Sequence, residues 1–127
     1  MSYAALNQYR TTAVYGDADE ASPHKLVEML YGGVIERLAS ARGALQRGDR
    51  AAKLRALSAA MAIVEHLRLS LDHAAGGEIA ANLDALYDYI GRRLLQVNVH
   101  DDIDAVDELL RLARGLKTAW DGIAPVH

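Results

Sequence analysis

The chain has 127 residues, of which 51% are apolar and 24% are charged, and this size and balance are typical of one compact domain. It contains no cysteine and carries a formal net charge of −3, which excludes disulfides and thiolate metal sites and argues against nucleic-acid binding. No apolar run is long enough for membrane insertion and no signal peptide is evident, so we expect a cytoplasmic protein.

Residues 1–21 show no sustained hydrophobic periodicity and end in a short acidic stretch of small residues. Such a segment is typical of a flexible terminal arm rather than of a core element. Four apolar side chains are available to anchor this N-terminal arm to the rest of the protein. They are Leu6, Tyr9, Val14 and Tyr15.

Two amphipathic helices are predicted next, over residues 22–47 and 50–74. Ser22 and Pro23 favour the start of the first helix, Gly48 ends it, and Asp49 is placed to cap the second. In both segments apolar residues recur at steps of three and four, which indicates one buried face. In the second helix these residues are Leu54, Leu57, Met61, Val64, Leu67 and Leu71.

Two further helices are predicted over residues 78–97 and 102–123, after Gly77 and after Asp101 or Asp102 as the cap. The connections between helices are two to five residues long, and short connections make consecutive helices antiparallel neighbours. The sequence therefore predicts an all-α protein. Its architecture is an antiparallel, up-down-up-down four-helix bundle with an N-terminal arm.

The polar residues do not form a recognisable catalytic or metal-binding pattern. A di-iron site in a bundle needs a Glu followed by His three residues later on two helices, and no Glu here has a His at that spacing. Inward carboxylates for acid–base chemistry are also absent from the apolar stripes. We therefore predict a protein that is not an enzyme and that uses no cofactor and no metal ion.

Several large apolar residues fall outside the stripes of their own helices, among them Met29, Leu69 and Leu95. A contiguous exposed apolar surface often marks a binding site for a partner. The alternative is a wide core with self-complementary contacts, which describes a generic dimeric helical adaptor. Arg92 and Arg93 add guanidinium groups that suit carboxylates and helix carbonyls, although a solvated pair is an equally simple interpretation.

The order of several motifs resembles the flagellin-specific export chaperones of the FliS type. The matching segments cover about 100 residues in the family's order. They are Ala21-Ser22-Pro23, Met29-Leu30-Tyr31, Gly76-Gly77-Glu78-Ile79-Ala80, Asn82-Leu83, Leu86-Tyr87-Asp88-Tyr89, Arg92-Arg93-Leu94 and Asn98. The chain departs from the family pattern at two positions: Gly32, where the family usually has Asp, and Val97, where Ala is usual. The first departure removes a side chain that could make a polar contact at position 32.

This resemblance implies a cytosolic bundle that binds the C-terminal segment of flagellin, prevents premature polymerisation and presents it to the flagellar export apparatus. It also implies that the arm covers the vacant groove, and that other flagellar regulators are further candidate partners. By motif position, Tyr9 is the candidate in the arm, and the groove residues are Met29, Leu30, Tyr31, Leu83, Leu86, Tyr87, Tyr89 and Leu94. The polar contacts are Arg92, Arg93 and Asn98. The apolar surplus alone adds Leu69 and Leu95.

A purely structural role is the alternative for four of these candidates, because they also fall on the predicted core stripes. They are Leu30, Leu83, Leu86 and Leu94. Substituting alanine for a buried leucine would cost about 2 to 5 kcal/mol of stability whatever the function.

Overall fold

A computed structural model describes residues 14–15 and 22–123. All regular secondary structure in these segments is helical, which confirms the all-α prediction. The four long helices are α1 (Pro23–Arg47), α2 (Arg50–Leu69), α3 (His73–His100) and α4 (Ile103–Asp121). None of the helices in the described segments is long and apolar enough to cross a membrane.

The helices form a closed ring in which α1 packs on α2 and α4, and α3 packs on α2 and α4. Packing is most extensive between α1 and α2 and least extensive between α3 and α4. One apolar face of each helix meets in the centre of the ring, as the stripes of apolar residues predict. Almost completely buried members of this core include Leu38, Leu67, Tyr87, Leu94 and Leu109.

Most helix ends follow the capping signals in the sequence. Gly48 ends α1 with a φ of 70°, a left-handed conformation that glycine adopts without strain. The Asp49 carboxylate accepts a hydrogen bond from the Ala52 N–H at 3.0 Å. Asp102, not Asp101, caps the last helix in the same way. Ser22 makes no side-chain cap, so its contribution at the start of α1 is only its backbone carbonyl.

The junction between α2 and α3 differs from the sequence prediction, which extended the second helix to residue 74 and began the third at 78. Helix α2 ends at Leu69, and Asp72 starts a new helix by accepting a hydrogen bond from the Ala75 N–H at 3.0 Å. The backbone bends at Gly77, with φ 52° and ψ −127°, so the predicted break survives as a kink inside α3. The first N–H groups of a new helix have no acceptor within that helix, and the Asp72 carboxylate stabilises the start of α3 by bonding to one of them.

Helix α3 also continues three residues beyond the predicted end at Val97. It stops at Asp101, which has a left-handed φ of 52°. The buried ammonium of Lys53 donates to the Asn98 carbonyl at 3.1 Å and to the Asp101 carboxylate at 2.6 Å. These bonds satisfy polar groups at the C-terminal end of α3, and they explain how a lysine is tolerated inside the bundle.

The buried face of α2 is rotated relative to the predicted stripe. Lys53 is 5% exposed, whereas its neighbour Leu54, a predicted core residue, is 42% exposed. The core stripe of α2 begins at Lys53 and continues through Leu57, Ala60, Val64 and Leu67. Leu54 is therefore available on the surface between α2 and α3.

Candidate partner-binding grooves

Two apolar grooves of similar size lie on the bundle, with cavity volumes of about 240 and 220 Å³. We call the first the arm groove; it is lined by Val14, Tyr31, Ile79, Leu83, Leu116, Ala119, Trp120 and Ile123. We call the second the open groove; it is lined by Leu54, Leu57, Ser58, Met61, Leu94, Leu95 and Asn98. The first is bounded mainly by α3 and α4 and the second by α2 and α3.

Two residues of the N-terminal arm pack at the arm groove: Val14 forms part of its wall, and Tyr15 is buried next to Val14. Val14 is 4% and Tyr15 is 9% exposed, so both are buried by the helices around them. The Tyr15 ring meets the Trp120 ring edge-on, with 5.5 Å between their centroids. The Asp72 backbone N–H donates to the Val14 carbonyl at 2.6 Å. Side-chain burial and a main-chain hydrogen bond thus hold this part of the arm in place.

Three tyrosine hydroxyls meet beside the arm groove, one each from the arm, α1 and α3, and Tyr31 also lines the groove. The Tyr31 and Tyr87 hydroxyls lie 2.6 Å apart, the Tyr15 and Tyr31 hydroxyls lie 3.3 Å apart, and Tyr15 also bonds to Tyr87. Burial is the largest cause that raises the pKa of all three side chains above the usual value of 10.0. The cluster therefore consists of neutral hydroxyl groups at physiological pH.

Trp120 is held against α1 by His24 through two reciprocal hydrogen bonds. The Trp120 indole N–H donates to the His24 carbonyl at 2.8 Å, and His24 Nε2 lies 3.0 Å from the Trp120 carbonyl oxygen. The two rings also stack, with centroids 5.2 Å apart. Because both residues are buried, this pair ties the C-terminal end of α4 to the start of α1 and fixes one wall of the arm groove.

The open groove has aliphatic walls and one polar end. Leu57 and Leu94 are buried at its base, while Leu54 and Leu95 are 42% and 59% exposed. Asn98 lies at the end of the groove, where its carbonyl accepts the hydrogen bond from Lys53. This combination leaves apolar surface accessible to solvent next to an amide that can bond to a partner.

A polar cluster joins α3 to α4 on another part of the surface. The Tyr89 hydroxyl and Arg93 Nε both donate to Glu108 Oε1 at 2.9 Å. The hydrogen bond from Arg93 is the largest cause that lowers the pKa of Glu108, and the bond from Tyr89 adds to it. Arg92 lies beside this cluster and bonds to Asp88 at 3.0 Å. These side chains are therefore already engaged within the protein.

A family model described as "Flagellar protein FliS" matches residues 2–127. The chain belongs to the FliS family. It is similar to the flagellar secretion chaperone FliS of Salmonella typhimurium, with 42% identity over 123 residues, covering 96% of this chain and 91% of that protein. It is also similar to FliSB of Pseudomonas aeruginosa (39% identity; 94% and 95% covered) and to FliS of Bacillus subtilis (30% identity; 92% and 86% covered).

Six of the residues carried over from the FliS resemblance or from the apolar surplus line or enter the two grooves. The arm groove brings together Tyr31, Leu83 and Tyr87. The open groove brings together Leu94, Leu95 and Asn98.

The remaining candidates among the described residues do not line either groove. Leu30 and Leu86 are half-buried against the core, which is the structural alternative for them. Met29 and Leu69 are 63% and 76% exposed at separate places on α1 and α2. Tyr9 lies outside the described residues. No single surface therefore collects every candidate.

Of the two departures from the FliS pattern, Gly32 lies near a lysine side chain and Val97 lies in the core. At Gly32, an added Cβ would lie 4.0 Å from Lys117 Cε, and Lys117 bonds instead to Asp121 at 2.7 Å. An aspartate at position 32 would therefore stand near a lysine that this chain pairs elsewhere. Val97 is fully buried in the core and faces neither groove.

Some residues that line or support the two grooves were not predicted from the sequence as site residues. Lys53 supports the end of the open groove, and the continuous spacing 53-57-60-64-67 was a signal that a lysine headed the α2 stripe. The His24–Trp120 pair had no local signal because 96 residues separate its members. Ile79, which belongs to one of the motifs shared with the FliS family, lines the arm groove and is 47% exposed.

Proposed function

We propose that this protein is a cytoplasmic export chaperone that binds the disordered C-terminal segment of a flagellin. Binding covers apolar residues of that segment, prevents premature polymerisation, and presents the subunit to the flagellar export apparatus. Membership of the FliS family supports the chaperone role. No catalytic step, cofactor or metal ion enters the proposal.

The observation that carries the proposal is the burial of two arm residues at the arm groove. A short segment outside the four long helices, Val14–Tyr15, is already buried there through an apolar side chain, a hydroxyl and a backbone carbonyl. A groove that binds part of its own chain in this way has the chemistry to bind a segment of another chain. We expect a flagellin segment that takes the place of Val14 and Tyr15 to compete with the arm for these contacts.

The open groove provides the second binding surface. Its exposed leucines are accessible along one side of α2 and α3, and an amphipathic helix laid between two helices is a common mode of recognition. A flagellin tail is suited to this groove because it presents apolar residues on one helical face once it folds. Folding on binding costs ordering entropy, so burial of apolar area is the expected driving force.

Calorimetric titration with a peptide of the last ~40 residues of flagellin tests this proposal. We expect affinity in the micromolar range or tighter, and a negative heat-capacity change caused by apolar burial. Leu95→Ser should weaken binding by about 10-fold, since it removes one apolar contact of roughly 1.4 kcal/mol. Val99→Ser is the matched control, because Val99 is 72% exposed on the same helix but does not line the groove.

Three outcomes contradict the proposal: no binding at micromolar concentrations, equal losses for Leu95→Ser and Val99→Ser, or a stable dimer that excludes the peptide. The last outcome, measured by sedimentation over a range of protein concentrations, supports the generic dimeric adaptor instead. In that case the open groove would be covered by a second copy of the chain.

A further inference from the structure

The arm groove contacts two adjacent residues of the arm in different ways. The Val14 side chain lies among Leu83, Trp120 and the other apolar lining residues, and its carbonyl accepts the hydrogen bond from Asp72. The next side chain, Tyr15, places its hydroxyl between those of two buried tyrosines. An apolar side chain followed directly by a hydrogen-bonding side chain is therefore the pattern that the groove holds.

The number of hydroxyls in the cluster determines whether every buried donor has an acceptor. A tyrosine hydroxyl donates one hydrogen bond and can accept two. Three hydroxyls can each donate to the next in a closed ring, and no buried side-chain nitrogen or oxygen in the described segments lacks a partner. If only Tyr31 and Tyr87 remained, one could donate to the other. The hydroxyl hydrogen of the second would then have no acceptor.

We propose that the Tyr31–Tyr87 hydroxyl pair and the Asp72 backbone N–H form a selectivity subsite. This subsite selects chain segments in which an apolar residue is followed by a neutral hydrogen-bonding residue. Tyr15 is the built-in ligand of this subsite, and a partner segment that displaces the arm supplies the same chemistry. The partner part of this inference rests on the proposed function, whereas the part that concerns the arm does not.

The surroundings define the chemical class of side chain that the subsite accepts. An apolar side chain at this position leaves one buried hydroxyl without an acceptor, which is unfavourable. A carboxylate would place a charge in a groove whose burial already disfavours the ionised form of all three tyrosines. A hydroxyl or a carboxamide supplies an acceptor without charge. Serine, threonine, tyrosine, asparagine and glutamine therefore belong to the accepted class.

Amide hydrogen exchange at Asp72 tests the arm's part of the inference in the full chain, because this N–H donates to Val14. Tyr15→Phe removes only the hydroxyl, and we expect it to lower the protection of the Asp72 amide by about 5- to 10-fold. The same substitution in a Tyr87→Phe background should change protection by less than about twofold, because its hydroxyl partner has already been removed. Tyr31→Phe replaces Tyr87→Phe if the latter does not fold.

Tyr89→Phe is the matched control, since its hydroxyl bonds to Glu108 outside the arm groove. It should leave Asp72 protection unchanged. Unchanged protection in Tyr15→Phe, or losses that simply add in the double variant, would overturn the inference. A loss in Tyr89→Phe equal to that in Tyr15→Phe would do the same, because the effect would then not depend on the cluster.

A scan of the flagellin tail peptide tests the partner's part. Each hydroxyl or amide residue that follows an apolar residue is replaced by an apolar side chain of similar shape, such as Ser→Ala or Thr→Val. We expect one position to lose about 5- to 10-fold in affinity for the wild-type chain and less than about twofold for Tyr87→Phe. No such position in a peptide that binds contradicts the selectivity, whereas a peptide that does not bind contradicts the proposed function and leaves the exchange experiment to decide the subsite.

Discussion

The arm groove and the open groove have nearly the same cavity volume but differ in their walls and contents. The arm groove lies between α3 and α4, the least closely packed neighbours, and aromatic rings and hydroxyls hold a segment of the arm against it. The open groove has aliphatic walls that remain exposed. We therefore expect the arm groove, which is rich in directional contacts, to bind a particular short segment. We expect the open groove, whose walls are aliphatic, to accept any helix with a suitable apolar face.

The largest expected difference concerns the walls of the two grooves. Trp120→Ala should lower the free energy of unfolding by about 3 to 5 kcal/mol, because it leaves a large cavity beside Tyr15 and removes the bonds to His24. Leu54→Ala should cost under about 1 kcal/mol, since Leu54 is already 42% exposed. Urea unfolding measures both, and similar losses would show that the two walls do not differ as described.

The next test concerns Lys53, which supports one end of the open groove. Lys53→Met should lower the free energy of unfolding by about 1 to 3 kcal/mol, because the Asn98 carbonyl and Asp101 lose their buried donor. The hydrogen bond from Lys53 is also the main cause that lowers the pKa of Asp101, so this pKa should rise in the variant. Proton titration by NMR measures the pKa. Lys25→Met, at a lysine whose side chain is 64% exposed, should change stability little.

The smallest effect concerns the pH dependence of the arm groove. Burial raises the pKa of Tyr31 above 10.0, so the unfolded chain loses this proton first and stability falls as pH rises above about 10. Between pH 10 and 11, the wild-type chain should lose more stability than Tyr31→Phe, which has no hydroxyl proton to lose at this position. Urea unfolding at both pH values measures the difference. An equal loss in the two proteins would contradict a buried, neutral Tyr31.

Much of the fold could be predicted because helical periodicity and capping are local properties. The stripes of α1 and α4 and the caps at Gly48, Asp49 and Asp102 follow from spacing and residue type. The end of α2 and the kink at Gly77 could not be predicted in this way. There a helical pattern of apolar residues continued past Leu69, and the cap at Asp72 competed with it.

The candidate site could be predicted only in part, because spacing along the chain does not show which helices become neighbours. The motif series named Tyr31, Tyr87 and Asn98, and the structure places the first two in one groove and the third in the other. Periodicity could not assign them to separate grooves, because this depends on which helices become neighbours. It also could not show that Tyr89 and Arg93 bond to Glu108 within the protein.

The sequence by itself determined an all-α bundle, a surplus of apolar side chains, and the resemblance to the FliS family. These properties depend on spacing along the chain and on the order of motifs, both of which are visible without coordinates. Only the tertiary structure decided that Val14 and Tyr15 are buried at one groove, that Leu54 and Leu95 line another, and that three hydroxyls meet. Contacts between Tyr15 and Tyr87 join residues 72 positions apart, and such contacts exist only once the helices have packed.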